Sequence, residues 1–166
     1  FKDISFSLKR LPYEQLYDEC VKENAFNLKL LDGAIIQFMY VCYKNEIIKH
    51  RLAFYPNPNV ERFQDDPDNF EYNHFGNELF TEIYEKRAVV FPVRFDYDSD
   101  EEKYVEHDHS YSHLTLGNYK NCRIPTFAPI CPANFINFIL RSFYNTATSD
   151  LSIKSPYILM DATITK

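Results

Sequence analysis

The sequence predicts an α+β domain, a twisted antiparallel sheet of about five strands packed against two main helices. Two observations carry this. Residues 12–24 and 132–145 space their apolar side chains as helices do, and residues 34–43, 46–55, 88–98, 112–117 and 121–125 read as strands. The 166 residues, 45% hydrophobic and 17% aromatic, suffice for one core, so 1–166 is read as a single domain.

Taken in order, residues 4–8 (ISFSL) alternate and suit a short strand or an extended arm. Pro12 then suits the first turn of a helix. Tyr13, Leu16, Tyr17, Cys20 and Val21 form its apolar face, and Asn24 to Asn27 end it. Gly33 precedes AIIQFMYVCY, apolar on both faces, which predicts a central strand or one face given to a partner. Cys42 is expected in the core there. Lys44-Asn45-Glu46 forms a hairpin turn, and residues 47–55 return with Ile48, His50, Leu52 and Phe54 on one face. His50 on that face is read as a core or interface histidine. Pro56-Asn57-Pro58-Asn59 ends the strand. A turn-rich acidic loop follows, then a short helix capped by Asn77 with Leu79, Phe80, Ile83 and Tyr84 as its apolar face.

Val89, Phe91, Val93, Phe95 and Tyr97 alternate with Val90, Pro92, Arg94, Asp96 and Asp98, the pattern of a strand with one polar face. Pro92 argues for an edge position or a bulge. Leu114 and Leu116 face one way and His113 and Thr115 the other, with Gly117 ending the strand. Pro132 opens the last helix, whose stripe is Phe135, Ile136, Ile139, Leu140 and Phe143. The tail from Leu151 has strand-like pieces that suit a sheet edge.

Net charge is −6, so no global basic field draws the chain to nucleic acid. Cys20, Cys42, Cys122 and Cys131 form no C-x-x-C pair and match no zinc ribbon, which predicts free thiols in a reducing compartment. Cys122 lies near Lys120 and Arg123, a setting that can activate a thiol, but a buried inert thiol fits better. No apolar run is long enough to span a membrane and no signal peptide is visible, so the expected location is cytoplasmic. The chain opens on Phe1, which leaves the native N-terminus open. No Gly-rich phosphate loop or nucleophile elbow occurs, and no cofactor is favoured.

Candidate chemistry gathers in residues 88–125, which hold three of the five histidines and the densest acidic run. On a straight strand His107 and His109 share a face ~6.6 Å apart, close enough for one metal ion with Asp96 or Asp98. On the same strand His113 would lie roughly 13 Å beyond His109, so a turn at Ser110-Tyr111 is needed to bring it back.

Several segments resemble the bacterial domain of unknown function 2290 family. They are RLAFYPNPN (51–59), FQDDPD (63–68), FPVRFDYD (91–98), SHLTLGNYKNCRIP (112–125) and PANFINFILRSFY (132–144). That family often carries proline after the first histidine of H-x-x-x-H, where this chain has Ser110. The resemblance implies no established activity. A weaker similarity, resting on Arg94, Asp96, His109 and His113, reaches small bacterial toxins of the TumE type.

Three functions remain open, so enzymatic activity is undecided. The first is a protein-interaction or accessory domain of a multi-protein system, such as a defence or toxin–antitoxin system, with a protein partner touching Tyr119, Lys120 and Arg123. The second is a small metal-independent ribonuclease-like effector. His109 and His113 would serve as base and acid, Arg94 would stabilise the charged intermediate, and Asp96 and Tyr111 would complete the set. Its weakness is the acidic surroundings (Asp96, Asp98, Glu101, Glu102, Glu106, Asp108), which repel an RNA backbone. The third is a metal-binding hydrolase using His107, His109 and Asp96.

Overall fold

The computed structural model describes residues 11–30, 32–58, 91–106, 108–117 and 122–144. Helix α1 (Tyr13–Lys22) is followed by β1 (Leu28–Lys29), β2 (Ile35–Tyr43), β3 (Glu46–Tyr55), β4 (Val93–Asp98), β5 (Ser112–Leu116), β6 (Arg123–Pro125) and α2 (Pro132–Phe143). The strands form one six-stranded sheet in chain order, and every neighbouring pair is antiparallel. The expected α+β architecture is therefore present. Strand β1, only two residues long, is the addition that periodicity does not reveal.

Local chemistry explains the joints. Lys44 and Asn45 sit at φ 47° and 67°, the pair of left-handed residues that a two-residue hairpin with the sheet's own twist demands. Asn24, at φ 49°, turns the chain out of α1. Gly33 sits at φ +82°, and a Cβ there would meet Asn57 Nδ2 at 2.7 Å, so the turn into β2 needs glycine. Helix α2 begins at Pro132, whose missing N–H is one that no helix satisfies internally. The Cys131 sulfur accepts from the Asn134 N–H at 3.4 Å and caps the same end.

The register sorts the sheet into two faces. One carries Ile36, Phe38, Tyr40, His50, Leu52, Phe54, Val93 and Phe95, and α2 packs on it through Phe135 and Ile139. The other carries Ile35, Ala53 and Tyr55, where Leu16, Tyr17 and Cys20 of α1 pack. Phe135 meets Phe38 and Phe95 edge-on at 6.2 and 5.9 Å. The buried Asp32 carboxylate accepts from the Ala34 N–H at 2.9 Å and from the Tyr144 hydroxyl, tying the end of α2 to the turn before β2.

His50 is a core histidine, 2% exposed. Its ring lies between Tyr40 and Tyr97 at 5.4 and 5.7 Å, and its Nε2 accepts from the Ile130 N–H at 3.3 Å. Burial pulls its pKa down from 6.5 to about 4, outweighing the nearby Asp96. The unfolded chain therefore binds a proton between those two values that the folded chain refuses. His50 thus contributes stability that is fully present above pH 6.5 and is lost as pH falls toward 4, up to about 3 kcal/mol. Denaturant midpoints measured from pH 7 to 4 should show this loss, and His50→Gln should flatten it. An unchanged slope in His50→Gln would contradict the assignment.

Two expectations need correction. Cys42 is exposed, because the β2–β3 hairpin runs past both helices and its end lies beyond the register shift at Val41/Cys42. Strand β4 is central, between β3 and β5, and Pro92 stands just ahead of it rather than within an edge strand. There the ring interrupts no ladder bond, while the Pro92 carbonyl accepts from the Gly117 N–H at 2.8 Å. Strand β2 is apolar on both faces because each helix covers one face of its first half, where Ile35 and Ile36 are buried. The helix expected near Asn77 and the strands expected at 4–8 and in the tail lie outside the described residues. Among the described residues, no helix is long and apolar enough to cross a membrane.

Candidate functional site

The α1-covered face of the sheet turns polar from β3 to β6. Register alone places Arg51, Asp96 and His113 side by side in one row, and Arg94, Thr115 and Arg123 side by side in the next. The sequence shows why: on each strand these residues alternate with the apolar ones that feed the α2 core.

The first row is a buried ionic cluster. Arg51 Nε donates to Asp96 Oδ1 at 2.7 Å. Arg94 Nε lies 3.6 Å from Asp96 Oδ2, and His113 Nε2 lies 3.9 Å from the same oxygen. The Asp96 and Arg51 side chains are only 13% and 16% exposed. Burial alone would push the Asp96 carboxyl up, but the Arg51 and Arg94 guanidiniums outweigh it and hold it below the usual carboxylate range. Arg94 and Asp96 are thus paired as part of a buried network.

His113 reaches this cluster because the chain bends where it had to. Val105 and His109 form an isolated bridge, with Val105 N–H donating to the His109 carbonyl at 3.0 Å. The Ser110 hydroxyl then donates to the Ser112 carbonyl at 2.7 Å, and β5 starts at Ser112. This turn sets the His109 and His113 rings 4.7 Å apart, edge to face. His113 Nδ1 lies 2.9 Å from the Ser110 carbonyl. A carbonyl only accepts, so Nδ1 carries the proton and Nε2 presents a lone pair toward Asp96. Burial lowers the His113 pKa, and neither the Ser110 bond nor Asp96 offsets it. The ring is therefore neutral at pH 7, and at 3.9 Å its Nε2 makes no hydrogen bond to the carboxylate.

The structure therefore brings together Arg94, Asp96, His109 and His113. Tyr111 points its ring elsewhere, stacked on Tyr104 at 4.7 Å. His107, Tyr119 and Lys120 lie outside the described residues. Among the described residues no three His, Cys, Asp or Glu side chains gather to hold a metal ion. The acidic surroundings are partly neutralised, since Lys103 lies 3.0 Å from Asp98 and 2.8 Å from Asp100, and Arg123 lies 3.6 Å from Asp108. Cys20 is no candidate nucleophile: burial pushes its thiol up to about 11.

Sequence reading missed Arg51 and Thr115. Arg51 lies 45 positions from its partner Asp96, and only the strand register joins them. The signal that would find it is the alternation of β3 itself, which puts Arg51 on the face opposite His50 and Leu52.

No curated protein and no solved structure matches the chain, so the similarity to TumE-type toxins gains no support. The family described as "Uncharacterized conserved protein (DUF2290)" matches residues 1–166. The chain belongs to this DUF2290 family.

Proposed function

We propose that this domain works by binding, as an interaction or accessory component of a larger protein assembly, and performs no catalysis of its own. The observation behind this reading is the state of the polar cluster. Its carboxylate is taken up by Arg51, its central histidine is buried and neutral, and its Nδ1 proton is used by Ser110. A general acid must hold a proton to give at working pH, and a buried imidazole with a lowered pKa does not. On the opposite face the row Phe95, Leu114 and Ile124 runs outward to β6, with Phe138 lying on Phe95 at 5.8 Å. Ile124 and Phe138 are 51% and 39% exposed, which suits a protein partner.

The test has two arms. RNA incubated with the purified chain, with EDTA or with divalent metals, should be cleaved no faster than with the His109→Ala/His113→Ala double variant. Tagged protein purified from its native cell should carry a stoichiometric protein partner, lost on Ile124→Asp with Phe138→Asp. Cleavage that depends on the two histidines, or a partner indifferent to the apolar pair, contradicts the proposal.

A second reading, metal-independent RNA cleavage, draws on one observation: the 4.7 Å approach of the His109 and His113 rings. It requires His109 to supply the proton and His113 Nε2 to take one. On this reading each single alanine variant loses about 100-fold or more in rate.

A further inference from the structure

We infer, building on the reading of this domain as a binding module, that the outward face of α2 docks an acidic segment of a partner protein. That segment presents a carboxylate beside an apolar side chain. Among the described residues a cavity of about 250 Å³ is lined by Asn134, Asn137, Phe138, Arg141 and Ser142. All five belong to α2, and their spacing by three and four residues places them on one helical face. From Asn134 to Ser142 that face runs roughly 12 Å along the axis, about two turns. Phe135 and Ile139, which anchor the helix on the sheet, turn away from it. The site is therefore open to a partner without any rearrangement of the core.

Arg141, exposed near the end of α2, carries the charge that selects the ligand. Helix α2 holds no Asp or Glu, and among the described residues no carboxylate or other hydrogen-bond partner meets the Arg141 guanidinium. Lys22, Lys49, Arg51, Arg94, Lys103 and Arg123, by contrast, each lie against a carboxylate. The planar fork of an arginine matches a carboxylate through two parallel bonds. The Asn137 amide and the Ser142 hydroxyl add donors along the same cavity. Phe138 supplies the apolar part. It is 39% exposed, and its ring lies on Phe95 at 5.8 Å, which joins the cavity to the apolar row Phe95, Leu114 and Ile124. A free anion gains nothing from that ring, whereas an acidic residue beside an apolar one uses both features. The cavity is also smaller than the roughly 300–1,000 Å³ of pockets that enclose small-molecule ligands, and suits side chains instead. A net charge of −6 exerts no long-range pull on an acid, so recognition rests on these short-range contacts.

The test is selection of a displayed library of random peptides against the full chain, followed by affinity measurement of the selected peptides as synthetic probes. The expected result is enrichment of peptides with Asp or Glu next to a large apolar residue. Arg141→Gln should weaken them about tenfold, and Asn or Gln in place of their acid should cost the same factor on the parent and almost nothing on Arg141→Gln. Phe138→Ala should weaken acidic and neutral probes alike. Arg141→Gln should melt with the parent, because the guanidinium it removes holds nothing in the fold. Absence of enrichment, selected peptides without an acid, or undiminished binding to Arg141→Gln would overturn the site. Dimerisation of the parent that is lost in Arg141→Gln would seat a second copy there and overturn it too. A native partner that needs Ile124 and Phe138 but is indifferent to Arg141→Gln would overturn this site and leave the proposed function standing. Histidine-dependent RNA cleavage would do the reverse, since the peptide affinities do not depend on it.

Discussion

Asp96→Ala should destabilise the domain by about 3–5 kcal/mol, a large share of what a domain of this size possesses. Among the described residues Asp96 is the carboxylate that Arg51 and Arg94 share, and its removal takes that partner from two guanidiniums that are mostly shielded from water. The loss is the penalty of uncompensated buried charge rather than the net worth of the ion pair. A double substitution, Arg51→Met with Asp96→Leu, should therefore cost less than Asp96→Ala alone. The pH dependence has a definite sign. The Asp96 carboxyl is held below its ordinary pKa, so its contribution is full above about pH 4 and disappears as pH falls through the folded value. The gap in stability between parent and Asp96→Ala, followed by urea denaturation, should be constant from pH 7 to 5 and close in stronger acid. A loss under 1 kcal/mol at pH 7 would show that Asp96 is not the keystone of this row.

Phe135→Ala should cost a similar 3–5 kcal/mol for a different reason. Phe135 is fully buried and is the residue through which α2 meets two strands at once, β2 through Phe38 and β4 through Phe95. Truncation removes its apolar surface and both edge-to-face ring contacts, and the flanking strands are too firmly paired to collapse into the cavity. The urea midpoint should fall with an unchanged slope, the mark of lost stability without a change in the unfolded chain. Phe138→Ala, three residues along and 39% exposed on the same helix, should cost far less.

How much of this was legible without coordinates depends on the range of the interaction. Elements set by local periodicity were readable: Tyr13, Leu16, Tyr17 and Cys20 marked α1, and Pro132 with Phe135 and Ile139 marked α2. The β2–β3 hairpin was readable from the turn residues alone. Burial at the ends of strands was not, which is why Cys42 was misplaced: whether a strand outruns the helices covering it is a tertiary fact. The histidine question was half legible. Spacing showed that His113 needs a bend to return to His109, and the Ser110 hydroxyl bond with the Val105–His109 bridge supplies it. Cross-strand neighbours such as Arg51 and Thr115 carry no local signal, because register is decided by the whole sheet.

The reading of the polar cluster as framework rather than catalytic machinery turns on the protonation state of His113. Its ring nitrogens, followed by heteronuclear NMR from pH 8 to 4, test that reading most directly. The expected result is a neutral imidazole at pH 7 with the proton on Nδ1, titrating below the ordinary value of about 6.5. An imidazolium at neutral pH, or titration at or above that value, would contradict it and restore His113 as a proton donor for chemistry.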